Sequence, residues 1–208
     1  MGDPVFAVRN SFYLGAFNSA ISEASELENL GDLDAVERDV LQYRSYIALG
    51  NNEMVLSEIR PNAATALLAV KLFAQYLSGS KTKDAVLSTL SEWLADTACN
   101  RNATVLLLAG LIYSQEGMYE DALKVCQSTT NLELMAQCVH ILLKMDRPDK
   151  AEQQVKAMAQ LDDDATITQL ATAWLGVALG GAKLREAQYI YQEMGDKYSF
   201  TVRHSSHV

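Results

Sequence analysis

Residues 106–126 read LLLAGLIYSQEGMYEDALKVC, and this spacing of small residues around a central glycine decides the fold class. Ala109 and Gly110 place two small side chains on the first helix, so that a second helix can approach it closely. Gly117 can adopt the left-handed conformation that ends a helix, and Ala122 gives the second helix its own point of close contact. The stretch therefore predicts a helical hairpin.

Related hairpins recur along the chain, and the unit resembles a tetratricopeptide repeat. The residues that align with Ala122 at the beginning of a second helix are Ala20, Val55, Ala85, Ala151 and Ala187. The successive intervals are 35, 30, 37, 29 and 36 residues, and they scatter around the roughly 34 residues typical of this repeat. The pattern predicts an all-α fold, a right-handed α-solenoid of degenerate tetratricopeptide-like hairpins.

Helical periodicity and turn residues predict the individual helices. They are expected near residues 4–14, 17–30, 33–49, 52–58, 62–78, 81–98, 102–115, 119–128, 131–144, 148–160, 164–179 and 183–196. No Ser/Pro-rich linker divides them, so residues 3–198 are predicted to form one continuous solenoid, followed by a polar tail at 199–208.

Composition narrows the class of partner. Of 208 residues, 49% are hydrophobic and 21% are charged, which is typical of a protein with a sizeable buried core. The formal net charge of −9 argues against nucleic acid, whose phosphates are bound by clustered Lys and Arg. Cys99, Cys126 and Cys138 have no CxxC spacing, so each is predicted to be a reduced thiol in a helical core, as in the cytosol.

Two segments bear on targeting. Asp3 and Pro4 stand where a secretory leader has basic residues, so secretion is not expected. Residues 165–182 carry no charge over 18 positions, the lower limit for a membrane span. Threonines, a glutamine and glycines dilute this stretch, and the favoured interpretation is a buried helix, with a membrane anchor as the alternative.

The sequence offers no complete set of catalytic, cofactor-binding or metal-binding residues. Nucleophile-elbow, dinucleotide and P-loop patterns are absent. The three aspartates at 162–164 are predicted to mark a helix start rather than a metal site, and His204 with His207 is a weak two-ligand pair. His140 would serve as a general base only if a carboxylate and a nucleophile converged on it, so an enzyme is a minor alternative.

Longer strings resemble the coatomer epsilon subunit family. They are VRNSFYLGAF at 8–17, YRSYIALG at 43–50, GMYEDAL at 117–123, DDATITQLATAW at 163–174 and YIYQEM at 189–194. The resemblance extends over about residues 3 to 198. It departs at the end, because family members continue for several more helices, whereas residues 201–208 are polar. A shortened or alternative C-terminus is therefore expected.

The resemblance implies a non-catalytic vesicle-coat subunit without a cofactor. It implies binding and stabilisation of the C-terminal region of the coatomer alpha subunit, in retrograde transport from the Golgi to the endoplasmic reticulum. Other coat subunits are indirect partners. The implied location is cytoplasmic, peripheral on Golgi membranes and coated vesicles, with no transmembrane segment of its own.

If the repeat register holds, inward positions of the first helices form the partner-binding surface. These residues are Arg44, Ile47, Leu107, Leu111, Ser114, Gln115, Ala136, His140 and Lys144. The alternative for the apolar members is packing between hairpins. A second binding function, a co-chaperone that grips an acidic peptide tail, needs polar donors where Leu107 and Leu111 stand, and the acidic net charge opposes it.

Overall fold

The computed structural model describes residues 2–128 and 130–198, and their regular secondary structure is helical throughout. The helices are α1 (Phe6–Tyr13), α2 (Phe17–Glu26), α3 (Asp32–Ala48), α4 (Asn52–Glu58), α5 (Thr65–Ser78), α6 (Lys83–Ala95), α7 (Ala103–Gln115), α8 (Tyr119–Cys126), α9 (Leu132–Lys144), α10 (Pro148–Asp162), α11 (Thr166–Leu179) and α12 (Gly181–Tyr198). The all-α class is confirmed. The predicted tail at 199–208 and its two histidines lie outside the described residues.

The C-terminal end of helix α2 is the single boundary that departs furthest from its predicted position. The helix ends at Glu26 instead of residue 30, because Leu27 is extended, with φ −80° and ψ 112°. Asn29 then takes a positive φ of 56°. Asparagine tolerates this left-handed conformation better than most residues, so the position does not require a glycine. Gly31, which directly precedes α3, has an ordinary φ of −65°.

The chain divides into two compact units, one ending at Cys126 and the other beginning at Gln127. In the first unit, α1 packs on α2, α3 on α4 and α7 on α8, while α1, α3, α5 and α7 contact one another in succession. Successive hairpins therefore stack through their first helices and through the packing of α2 on α3 and of α4 on α5. Helix α6 has little contact with α5, although its Val86 and Leu90 are buried. The tetratricopeptide type and the 3–198 boundary stay predictions.

The core of the first unit lies between stacked hairpins. Its largest cluster consists of Val40, Ile47, Val55, Ile59, Ala66, Ala69, Val70, Ala74, Val105 and Leu108, drawn from α3, α4, α5, α7 and the turn after α4. A smaller cluster joins Val5, Val8, Ala20, Ala24 and Leu41 near the N-terminus. The burial of apolar side chains from consecutive hairpins is what makes each one stabilise the next.

The second unit repeats the same local arrangement. Helix α9 packs on α10 and α11, and α11 packs on α10 and α12. Leu134, Met135, Val139 and Ile141 of α9 are at most 3% exposed, so this helix forms much of the unit's interior.

The residues that the repeat alignment places at the beginning of the second helices are buried, with one exception. Ala20, Val55, Ala122, Ala151 and Ala187 are each at most 1% exposed. The predicted alignment is wrong at position 85. Ala85 is half-buried, whereas the next residue, Val86, is fully buried. Helix α6 is thus rotated by one residue relative to the predicted alignment.

The predicted turns are present at their key residues. Gly117 has a φ of 76°, the left-handed conformation that the hairpin prediction required. Pro148 is the first residue of α10, where its missing N–H costs no helical hydrogen bond.

The three cysteines are free, but they differ in environment. Cys126 and Cys138 are buried on helices, as predicted. The prediction for Cys99 is wrong, because this residue lies in the turn after α6, is half-exposed and contacts the Asp96 carboxylate at 3.5 Å. Residues 96–102 bend back through local hydrogen bonds instead of extending the helix.

Within the part of the chain that the structure describes, none of the helices has the length and apolar character needed to cross a membrane. The uncharged stretch at 165–182 contains the 14-residue helix α11, whose Thr166 and Thr168 are buried with its apolar side chains.

Candidate partner-binding surface

The predicted residue Arg44 lies within a cluster of aromatic rings at the beginning of the first unit. Its guanidinium carbon lies 4.5 Å from the centre of the Phe12 ring, a cation–π distance. Phe12 in turn packs edge-on against Tyr13 and Phe17, at centroid distances of 6.0 and 5.7 Å. The half-buried Arg44 therefore joins α3 to α1 and still presents part of its side chain to solvent.

The apolar predicted residues of the first unit lie mainly in the interior. Ile47 is 7% exposed and belongs to the large core cluster, and Leu107 is 4% exposed. Leu111 is half-buried and packs against the same cluster as Ile47. The structure thus brings Ile47 and Leu111 together in one packed core, where they position the helices that carry more exposed neighbours.

The C-terminal end of α7 carries the predicted polar residues of the first unit. Ser114 is 5% exposed, and its hydroxyl has no hydrogen-bond partner among the described residues. Gln115, the next residue, is exposed. Adjacent positions on this helix therefore face opposite environments, and Gln115 is the one that faces solvent.

A polar network next to Gln115 ties three helices together. The Tyr76 hydroxyl of α5 donates a hydrogen bond of 2.5 Å to the Glu116 carboxylate, and the Lys83 ammonium of α6 lies 2.7 Å from the same carboxylate. Burial and the nearby carboxylate raise the pKa of Tyr76 to about 12. Hydrogen bonds from Lys83 and Tyr76 lower the pKa of Glu116. The network therefore keeps Glu116 ionised and Tyr76 protonated.

In the second unit, His140 is joined to an aromatic residue that was not among the predicted site residues. The His140 ring of α9 meets the Trp174 ring of α11 edge-on, with centroids 6.3 Å apart and an interplanar angle of 73°. Burial and the nearby Lys144 ammonium hold the pKa of His140 below its ordinary value of 6.5. A neutral imidazole against an indole indicates a packing surface rather than an acid–base pair.

Lys144 and Gln137 complete the polar part of this region. Lys144 is exposed, two turns along α9 from Gln137. Gln137 is only 8% exposed, and its Nε2 has no hydrogen-bond acceptor among the residues that the structure describes. Ala136, the remaining predicted residue, is 3% exposed and lies in the interior.

The aspartates at 162–164 form a turn. The Asp162 carboxylate accepts hydrogen bonds from the backbone N–H groups of Asp164 and Ala165, at 3.1 and 3.0 Å. Within the described ranges, His, Cys, Asp and Glu side chains do not gather in groups of three or more that could hold a metal ion.

Comparison with known families decides what kind of protein carries this surface. The family model described as the coatomer epsilon subunit matches residues 1–207. The chain belongs to the coatomer epsilon subunit family. The family that the sequence motifs indicated is thereby confirmed, and the chain is a subunit of the coatomer type, a vesicle-coat protein.

Individual relatives within the coatomer epsilon family show the same relationship. Coatomer subunit epsilon-1 of Arabidopsis thaliana is 49% identical over 199 residues, which cover 96% of this chain and 68% of the relative. Coatomer subunit epsilon-1 of Oryza sativa subsp. japonica is 48% identical with the same coverage. Coatomer subunit epsilon of Caenorhabditis elegans is 35% identical over 202 residues, which cover 97% of this chain and 69% of the relative.

Proposed function

We propose that this chain is a non-catalytic coat subunit that binds and stabilises the C-terminal region of the coatomer alpha subunit. The observation that carries the proposal is the match of the coatomer epsilon family to residues 1–207. The role requires a folded binding surface and no catalytic group, cofactor or metal. It belongs to retrograde transport from the Golgi to the endoplasmic reticulum.

The predicted site residues fall into an accessible group and a more buried group, and a different role is proposed for each group. Arg44, Gln115, His140 and Lys144 keep part of their side chains accessible, and they are the proposed contact residues. The more buried predicted residues, namely Ile47, Leu107, Leu111 and Ser114, are proposed to hold the first helices at the spacing that the partner recognises. Exposed polar residues around a packed support are typical of protein interfaces.

The proposed location follows from coat assembly. The chain would be cytoplasmic and would reach Golgi membranes and coated vesicles through other coat subunits. Nucleic acid is not a proposed partner, because the net charge of −9 would repel a phosphate backbone.

Co-purification tests the proposal directly. The full chain is expressed with the C-terminal region of the alpha subunit from the same organism, and the complex is measured by size-exclusion chromatography with light scattering and by titration calorimetry. We expect a one-to-one complex. We also expect the variant Arg44→Glu/Lys144→Glu to bind at least about tenfold more weakly, because it reverses two accessible charges.

A matched control separates contact from general charge. Lys150→Glu makes the same charge reversal on the exposed side of α10, a second helix, and should bind within about twofold of the original chain. Circular dichroism establishes that each variant is folded. A folded chain that does not bind the alpha region would contradict the proposed function.

A further inference from the structure

The second unit carries a strip of polar and apolar side chains on two neighbouring first helices. Gln137, His140 and Lys144 are spaced at i, i+3 and i+7 on α9, so they lie on one side of that helix. Trp174 and Val177 are spaced at i and i+3 on α11. The edge-on contact of His140 with Trp174 brings the two sets side by side. We call these five residues the α9–α11 face.

The α9 side of this face carries hydrogen-bond donors, and the buried donor of Gln137 has no acceptor among the described residues. Gln137 is 8% exposed as a residue, and its Nε2 atom is fully buried without a partner among the described residues. Such a donor is costly to leave unpaired in a folded protein, so it indicates an acceptor that is supplied from outside. Lys144 is exposed and forms no ion pair with the residues that the structure describes. Glu133 stands at the opposite end of α9, about 16 Å away along the helix.

The α11 side of the face is apolar. Trp174 is half-buried, and Val177 is 51% exposed. A partly exposed tryptophan on the same face as an unpaired buried amide has the composition of an interface hot spot, where an aromatic anchor and a desolvated polar group act together. The face therefore combines an apolar area with hydrogen-bond donors that an acceptor oxygen of a partner could pair.

We propose that the α9–α11 face binds a segment of the partner polypeptide in which a carboxylate side chain lies close to a large apolar side chain. The apolar side chain packs on Trp174 and Val177. The Gln137 side chain turns outward on binding, so that its Nε2 donates a hydrogen bond to an oxygen of the same segment, and the carboxylate pairs with Lys144. This inference deepens the proposed function and rests on it, because the partner is the alpha coat subunit proposed above.

Tryptophan fluorescence gives a readout at the face itself. The chain has two tryptophans, and Trp93→Phe leaves Trp174 as the single reporter. When the C-terminal region of the alpha subunit is titrated into this variant, we expect the Trp174 emission to shift to shorter wavelength with the same dissociation constant that calorimetry gives. The shift reports loss of water from the indole.

Two substitutions test the donors. Gln137→Met replaces the unpaired amide by an apolar side chain of similar size, so the free chain should unfold at the same or a higher temperature while partner binding weakens several-fold. If Gln137 had a purely structural role, its replacement would not weaken partner binding in a variant whose thermal stability is unchanged or higher. Lys144→Glu should weaken binding about tenfold, whereas the matched Lys150→Glu on α10 should change it less than about twofold.

The outcomes distinguish failure of the inference from failure of the proposed function. If the alpha region binds but Trp174 emission stays constant and both variants bind like the original chain, the α9–α11 face is not the docking site and the coat role stands. If the folded original chain does not bind the alpha region, the proposed function fails and the inference fails with it. Trp174→Ala is a third variant, and the other two keep the test decisive if it does not fold.

Discussion

Gly110 of α7 lies directly against Cys126 of α8. A Cβ atom built on Gly110 would lie 2.1 Å from Cys126 Sγ, far inside van der Waals contact. Both residues are buried, and Cys126 is fully so. The sulfur therefore occupies the space that any side chain at position 110 would need, and this contact sets the distance between the two helices of the hairpin.

The replacement Gly110→Ala should lower the free energy of unfolding by about 1–3 kcal/mol, the usual cost of overpacking a filled core. Adding Cys126→Ala removes the sulfur and should recover most of that loss, because the new methyl group takes its space. Urea denaturation of the two single variants and the double variant measures the coupling between the positions. Losses that simply add would contradict the contact.

Gly176 on α11 makes a different kind of close approach, to the backbone of α12. A Cβ atom there would lie 2.8 Å from the Lys183 carbonyl oxygen and 3.0 Å from the Ala187 Cβ. Gly176→Ala should therefore cost about 2–3 kcal/mol or more, and no truncation of a side chain should rescue it, because the carbonyl belongs to the main chain.

Gly195 is the matched control for that substitution. It lies on α12, and a Cβ there would have no heavy atom within 4 Å among the described residues. Gly195→Ala should stabilise the chain by up to about 1 kcal/mol through helix propensity alone. Thermal unfolding of both variants provides the comparison, and equal effects would refute the close approach at Gly176.

The Tyr76–Glu116 hydrogen bond should make stability sensitive to alkaline pH. The pKa of Tyr76 is raised from 10.0 to about 12 in the folded chain, so between these values the unfolded state loses a proton that the folded state keeps. This contribution to stability is complete below pH 10 and should disappear as the pH rises through about 12. Tyr76→Phe should unfold with a weaker dependence on pH in that range, as measured by thermal denaturation at a series of pH values. An unchanged pH dependence would exclude the raised pKa.

His140 should make the chain sensitive to acid. Burial, with a further contribution from Lys144, holds the pKa of His140 below 6.5, so the unfolded state takes up a proton before the folded state does. The contribution is present above pH 6.5 and is lost as the pH falls through the folded pKa. NMR titration of the imidazole should show a higher pKa in Lys144→Gln, because a nearby positive charge is removed. A pKa that falls or stays constant in this variant would contradict the proximity of the two groups.

The proposed α9–α11 face was predictable in part. His140 and Lys144 were predicted from the repeat register, whereas Gln137 and Trp174 were missed. One signal could have indicated Trp174, since it follows His140 by 34 residues, the length of one repeat, and equivalent positions of successive first helices lie side by side. The unpaired Nε2 of Gln137 had no such signal, because an amide looks the same in sequence whether or not an acceptor is near it.

Local patterns were sufficient for the all-helical class, the hairpin at 106–126 and the family, because helical periodicity, turn glycines and motif strings are properties of short segments. Two features could be seen only in the tertiary structure. They are the rotation of α6, which buries Val86 in place of Ala85, and the contact of His140 with Trp174. Both depend on how helices distant in sequence fill one another's space. Close packing depends on the shapes of all neighbouring side chains at once, and no single segment contains that information.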